Sequence, residues 1–435
     1  MTSTDPDRPQ VIAFYLPQFH PIPENDAWWG RGFTEWRNVV PAQPLFDGHH
    51  QPHLPSDLGF YDLRVPEVRE QQAALARAHG IDAFCYYHYW FGGKRVLDRV
   101  FDEVRATGTP DHPFCLCWVN ENWTRAWDAG EHEILLEQTY DADEQDRHLD
   151  YLVDAFGDPR YVRVDGRPLF MLYRAQSLPD APGFVDQLRA RAVDAGVGDP
   201  LVVKFDTHQN FDDPAPFHCD AAAQFVPHGM SERVTPVEIP GLGPGNEAYP
   251  YEGVAAAFLD DPDPGWTRFR CVAPGWDNTA RRGDGRSILV TGNTPERYEA
   301  WLRAACERAG PGGVVFVNAW NEWAEGAHLE PDQRNGRAYL RATARAVLGH
   351  EPAEDPLDGP QPVLTGPRFA DLYVDLYERH VRLQRRLTAV ESLLQRRLAS
   401  DPGDLRVAEA AAVVDRLTDR IAELEARLAE LDPRG

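Results

Sequence analysis

The sequence predicts a (β/α)8 barrel of the α/β class followed by a C-terminal helical coiled coil, on three observations. Eight short apolar runs alternate with longer amphipathic stretches, the order that repeated β/α units around a parallel sheet require. Several of those runs lead straight into polar and aromatic clusters at their C-terminal ends while the opposite ends are bland, and barrels of this kind carry their chemistry at the C-terminal face. Beyond a Pro- and Gly-rich stretch, apolar residues recur at alternating spacings of three and four.

The strand candidates are 11–16 (VIAFYL), 81–87 (IDAFCYY), 114–119 (FCLCWV), 168–173 (PLFMLY), 200–205 (PLVVKF), 220–226 (DAAAQFV), 268–273 (RFRCVA) and 313–319 (GVVFVNA). Each is too short for a core helix and rich in β-branched or aromatic residues. Helical periodicity falls between them at 66–79, 94–107, 143–156, 181–195, 295–309 and 334–347, with weaker signals inside 228–260. These units assign residues 1–350 to one barrel domain. Residues 351–368 (EPAEDPLDGPQPVLTGPR) read as an exposed linker. In 369–435, Leu383, Leu387, Val390 and Leu394, then Val407 through Leu431, keep the heptad spacing, interrupted at Ser400-Asp401-Pro402-Gly403-Asp404. This tail is an interaction module that folds back as a hairpin, forms a homodimer, binds a protein partner or docks on its own barrel.

With 43% apolar and 26% charged residues, the chain buries a sizeable core. A net charge of −25 repels phosphate backbones and anionic lipid surfaces, so nucleic acid and membrane are poor partners and a neutral ligand is easier to accommodate. Six scattered cysteines without a CxxC pair predict reduced, buried thiols. The N-terminal MTSTDPDRPQ has no signal-peptide pattern, and no run of apolar residues is long enough to span a bilayer, which predicts a cytoplasmic protein. There is no GxGxxG or P-loop. Asp141-Ala142-Asp143 reads as a helix cap and Asp261-Pro262-Asp263 as a turn. His49, His50 and His53, or Glu325 with His328, lack a recognised ligand spacing and read as loop polarity. No cofactor and no metal are expected.

The densest chemical constellation follows the eighth strand candidate, where Glu322 and Glu325 stand three residues apart. Strand alternation puts Phe316, Asn318, Trp320 and Glu322 on one face, and a turn after Glu322, signalled by Gly326, brings Glu325 to the same space. Close carboxyls push their pKa values apart, leaving one as acid and one as base, a division suited to glycosidic bond cleavage. Ten of the twelve tryptophans, Trp28, Trp29, Trp36, Trp90, Trp118, Trp123, Trp127, Trp276, Trp320 and Trp323, lie at or just after strand ends, where ring faces stack on sugars. Tyr15, His20, Glu35, His88, Asn120, Glu121, Asn122, Asp277, Asn318 and His328 add hydrogen-bonding groups for a polyhydroxylated ligand. Together with Trp29, Trp36, Trp90, Trp118, Trp123, Trp276 and Trp320 they are the expected substrate-binding residues, for an oligo- or polysaccharide.

The segments FYLPQFHPIPENDAWWGRGFTEW (14–36), LPSDLGFYDLR (54–64), FCYYHYWFGGKR (84–95), FCLCWVNENWTRAWD (114–128), APGWDN (273–278) and NAWNEWAEGAHLEPD (318–332) resemble the WbsX-type family, over residues 11–348. That family is labelled glycosyltransferase and is similar to family 99 glycoside hydrolases, (β/α)8 endo-acting α-mannosidases. The resemblance implies that Glu322 and Glu325 are the catalytic pair. Glu322 would draw the proton from the sugar 2-hydroxyl so that its oxygen attacks the anomeric carbon, and Glu325 would protonate the leaving oxygen and later activate water. The chain departs from the hydrolases at Ala324, where they often carry His, and in its expected lumen-side residues such as Tyr86, Tyr87 and His88, so sugar identity does not transfer. The expected function is a retaining, endo-type glycoside hydrolase or transglycosylase acting on a bacterial polysaccharide. The alternatives are a nucleotide-sugar-dependent glycosyltransferase of polysaccharide biosynthesis and a non-catalytic carbohydrate-binding protein.

Overall fold

The computed structural model describes residues 7–125, 130–282 and 285–357, and in the C-terminal segment 383, 384, 387, 388, 390, 414 and 416–426. The chain divides into two compact units, Met1–Pro360 and Gln361–Gly435, the division falling inside the segment expected to be a linker. Five of the twelve expected heptad positions, Leu394, Val407, Ala410, Leu428 and Leu431, and Trp127, lie outside the described residues. Residues 416–426 are helical, with Ile421 and Leu424 shielded from solvent.

Eight parallel strands close into a barrel: β1 (Gln10–Tyr15), β2 (Ala83–Phe91), β3 (Phe114–Trp118), β4 (Arg167–Leu172), β5 (Leu201–Asp206), β6 (Ala221–Gln224), β7 (Arg268–Val272) and β8 (Val314–Val317). Each pairs with its chain neighbours, and β8 returns to β1 with Val11 opposite Val315, while Ile12 stands opposite Ala83 of β2. All eight runs read from the sequence are strands of this ring. Both faces of a closed parallel sheet are covered, which is why the runs are nearly continuously apolar. Alternation sends Phe14, Phe205 and Phe316 inward, where with Phe225 they pack at centroid distances of 5.0–5.3 Å. At about 1.5–3 kcal/mol per buried ring, this plug closes the barrel below its mouth.

The outer layer contains α1 (Pro66–Ala78), α2 (Arg99–Thr107), α3 (Ala142–Phe156), α4 (Ala181–Asp194), α5 (Tyr251–Leu259), α6 (Pro295–Ala309) and α7 (Ala338–Val347). Caps explain several starts: Asp141 accepts from the Asp143 and Glu144 N–H groups, Asp180 from Gly183, and Thr294 from Arg297. Two helix starts differ by several residues from the sequence reading, the one expected at 334 falling at Ala338. The helix expected over 94–107 begins only at Arg99, because Lys94–Val96 runs back antiparallel along the end of β2. Gly92 and Gly93, both at positive φ, form the two-residue turn that this hairpin needs. All six cysteines are free and buried. Among the described residues no helix is long and apolar enough to cross a membrane.

Candidate active site

The loops after β1, β7 and β8 bring four charged side chains together at the C-terminal mouth. Past β8, Asn321–Glu322 pairs antiparallel with Ala327–His328, and a single 3-10 turn, Trp323–Glu325, joins them. Gly326 closes that turn at φ 60 in the left-handed region, so Glu325 swings to the side Glu322 faces. A Cβ at Gly326 would sit 3.0 Å from the Asp277 Cβ, and the Asp277 N–H donates to the Glu325 carbonyl at 2.6 Å. Arg281, on the short helix Thr279–Arg282 after β7, reaches across. Its Nη1 donates to Glu325 Oε1 at 2.6 Å, and its Nη2 lies 3.3 Å from both Glu322 Oε2 and Glu35 Oε1.

One guanidinium therefore faces three carboxyls. Burial, then the Glu325 charge, push Glu322 up to about 8 against the pull of Arg281. Burial also raises Glu325, again opposed by Arg281. Arg281 itself loses by burial but is held protonated by Glu35, Glu325 and Glu322. Tyr87 and Tyr89 stand close enough that, after burial, the Glu322 charge is the largest influence raising their pKa values, and Tyr173 feels Glu121 and Glu325 in the same way. All three phenols are neutral donors on the floor of the mouth. Trp123 packs edge-on to Tyr89 at 5.1 Å and to Trp28 at 6.0 Å, continuing the floor as a half-buried aromatic wall.

A second polar group borders the same tyrosines. Glu121 lies 3.3 Å from both Arg174 Nη1 and His208 Nε2, and the Tyr173 hydroxyl lies 3.3 Å from His228 Nε2. Burial pushes His228 down to about 4, so its ring is neutral. Arg174, His208 and His228 directly follow β4, β5 and β6; their place just beyond strand ends was the available signal, and no motif marks them. Arg281 likewise follows the APGWDN segment without periodicity of its own.

Behind the carboxyls lies a brace. Glu330, 2% exposed, accepts from Tyr61 Oη at 2.7 Å, Trp323 Nε1 at 2.7 Å and Gln72 Nε2 at 2.6 Å, and Gln72 Oε1 accepts from Tyr15 Oη at 2.7 Å. Burial pushes Glu330 up to about 7, held back by those donors. Asn321 bonds the Leu16 N–H and carbonyl, tying the turn to the end of β1. His49 accepts from the Leu45 N–H through Nδ1, so its Nε2 carries the hydrogen donated to Asp277 Oδ2 at 2.7 Å. His328 Nδ1 faces the Glu330 carbonyl, leaving Nε2 to accept from His53 Nδ1 at 2.9 Å. His49 and His53 are thus internal struts, a correction to their reading as loop polarity. Among the described residues no group of three or more His, Cys, Asp or Glu is placed to hold a metal ion.

The expected binding residues divide accordingly. Glu35, Glu121 and Trp123 stand at the mouth with Glu322 and Glu325, and Trp29 is half-buried at the rim beside Phe33. His88, Trp90 and Trp118 do not: they surround His148 of α3, with His88 Nε2 3.0 Å from His148 Nε2 and Trp90 stacked on it at 4.7 Å. Tyr87 and Tyr89 hold the inward parity of β2 instead. Tyr15 points outward to α1, and Trp320 packs against Phe84, fully buried. His20 lies among the charges of Asp62, Arg64 and Arg99. Trp36 donates to the Tyr61 carbonyl and packs on Trp323; Asn120 bonds both main-chain groups of Arg174; Asn122 accepts from the Gln138 N–H; Asn318 donates to the Val226 carbonyl. Asp277, bonded by His49, Gln51 and Thr279 and drawn down to about 2 despite burial, is a strut. Trp276 is buried, its carbonyl accepting from Val290. His328 lies under the stacked ring of Trp323 at 3.8 Å.

Comparison with known proteins places this geometry in context. The family model described as Glycosyltransferase WbsX matches residues 11–343. Two strains of Xanthomonas campestris pv. campestris carry relatives called Uncharacterized protein WxcX, 42% identical over 347 residues, which is 78% of this chain and 49% of the relative. The chain thus spans about half the length of the curated relatives it matches. A solved Glycoside hydrolase-like protein superposes with a TM-score of 0.52 at 16% identity, over 80% of this chain and 97% of that one, a likeness of fold. The GH99 endo-alpha-mannosidase from Bacteroides thetaiotaomicron gives a TM-score of 0.47 at 16% identity, over 78% and 96%.

Proposed function

Because the chain belongs to the WbsX glycosyltransferase family, we propose that it is a carbohydrate-active enzyme acting on an oligo- or polysaccharide, and that it works as a retaining, endo-type glycoside hydrolase or transglycosylase. The observation that carries this reading is the convergence of Glu322, Glu325 and Glu35 on Arg281 in a mouth floored by Tyr87, Tyr89 and Tyr173. Arg281, with Arg282 acting on Glu325 alone, does not offset three carboxyls together with their burial, so the buried pair Glu322 and Glu325 retains a proton at neutral pH, as acid–base chemistry requires. Arg281 bonds Glu325 more closely, which rests the proton on Glu322 while the mouth is empty. The roles implied by the family resemblance then require the sugar to displace Arg281 from Glu325 and the shared proton to pass from Glu322 to Glu325 before the first step. Glu322 takes the 2-hydroxyl proton, O2 bonds to the anomeric carbon as the glycosidic bond breaks, and Glu325 protonates the departing oxygen. Glu325 next accepts a proton from water or a sugar hydroxyl, which attacks the anomeric carbon as the bond from that carbon to O2 breaks and O2 regains its proton from Glu322.

The test is turnover of a panel of oligosaccharides and aryl glycosides by wild type, Glu322→Gln and Glu325→Gln. The expected result is cleavage with retained configuration on one panel member, reduced by about 10³-fold or more in each variant on unactivated glycans, with sugar affinity kept. A loss below tenfold in both variants overturns the assignment. Saturable nucleotide-sugar binding with transfer and no hydrolysis would establish the transferase that the family description names. Glycan binding without turnover, indifferent to both substitutions, would establish a binding protein.

A further inference from the structure

Glu330 is a buried ionisable group to which the acid–base reading assigns no step. Its two oxygens collect three neutral donors from three parts of the chain: Tyr61 in the loop after β1, Gln72 on α1 and the indole of Trp323. Among the described residues no Arg or Lys pairs with it, so it is not held there by a salt bridge. Its main chain is committed as well, the N–H donating to the Trp320 carbonyl and the carbonyl accepting from His328. Trp323 is the residue between Glu322 and the remainder of the turn that ends at Glu325. Its ring is clamped by His328 on one face at 3.8 Å, contacted by Trp36 at 5.6 Å, and bonded at its edge only to Glu330.

We propose that Glu330 is a positioning residue that fixes Trp323, and through it the spacing of Glu322 and Glu325 around Arg281. The donor–acceptor pattern makes the arrangement specific. A carboxylate accepts on both oxygens, whereas an amide of the same shape has one acceptor oxygen and turns an NH2 toward a donor. Flipping Gln72 does not restore the count, because its NH2 would then face the Tyr15 hydroxyl, which could accept it but would lose the acceptor of its own hydrogen. Glu330→Gln therefore leaves a buried donor unmatched, Gln72 when the amide oxygen stands in for Oε2 or Tyr61 and Trp323 when it stands in for Oε1, and the side chain at 330 shifts to relieve it together with the indole bonded to it. The inference rests on the acid–base reading of Glu322 and Glu325, but its primary readout does not.

The experiment compares wild type, Glu330→Gln and Tyr61→Phe by two NMR signals: the indole N–H of Trp323, assigned with Trp323→Phe, and the carboxyl titration of Glu322, assigned with Glu322→Gln. In Glu330→Gln the indole resonance is expected to move upfield and the Glu322 midpoint to fall, as the two carboxyls separate. On any glycan that wild type cleaves, kcat should drop about a hundredfold with KM unchanged, the size of effect that a displacement near 1 Å produces. Tyr61→Phe should move both signals the same way by less, and it serves alone if Glu330→Gln does not fold. Superposition of both signals on those of wild type overturns the inference. Signals that move in a protein that cleaves no glycan sustain the positioning role while removing the hydrolase reading.

Discussion

Arg281 is the residue on which the electrostatics of the mouth turn. Replacing it with Met leaves buried carboxyls without a cation, at a cost of about 3–5 kcal/mol in the ionised state. The penalty should be larger at pH 8 than at pH 5, where protonation relieves the repulsion, and denaturant unfolding at the two pH values measures the difference. A second test separates the roles of the glutamates. If Glu325 is the acid, Glu325→Gln should cost about 10²–10⁴-fold on a poor leaving group and far less on an activated aryl glycoside, whereas Glu322→Gln loses both alike. Steady-state rates on a leaving-group series decide it. Glu322 and Glu325 were legible because two carboxyls stand together beside a strand end. Arg281 was not, since an arginine in an aperiodic loop carries no local mark of the partners it meets across the barrel.

At the level of elements, the turn Trp323–Glu325 depends on Gly326. Gly326→Ala places a Cβ 3.0 Å from the Asp277 Cβ at a left-handed φ, and should destabilise by about 1–3 kcal/mol, seen as a lower Tm. Strand β2 shows where sequence reasoning stops. Its nine residues are all buried, so hydropathy does not distinguish the barrel face from the helix face. Expecting Tyr86, Tyr87 and His88 on the lumen side and His88 and Trp90 in the mouth mixes the two parities, and the structure turns Tyr87 and Tyr89 inward and Tyr86, His88 and Trp90 toward the helices. The hairpin after it carries one mark in the sequence, the adjacent Gly92 and Gly93 of a two-residue turn. Helical periodicity across 94–107 masked it.

For the whole molecule, opposing titrations set the pH range of stability. Burial lowers His50, His53, His88, His112, His148, His228 and His328, so the folded state binds fewer protons than the unfolded one below about pH 6.5, and stability falls as acid is added. Glu322, Glu325 and Glu330 are raised, so between the ordinary carboxyl range and about pH 8 the folded state binds more protons, and stability falls as pH rises. A maximum near pH 6.5 follows. Glu322→Gln should flatten the alkaline limb of a Tm-versus-pH curve and leave the acid limb unchanged. The barrel was legible in the sequence, since eight apolar runs with intervening amphipathic stretches admit few architectures.

The return of β8 to β1 has a consequence for the birth of the molecule. Glu35 is translated near the beginning and Glu322 near the end of the barrel, and only annealing of the last strand to the first brings them to a common arginine. A ribosome-bound chain lacking β8 has neither half of the proton-sharing pair, so any acid–base competence switches on in one step when the ring is sealed.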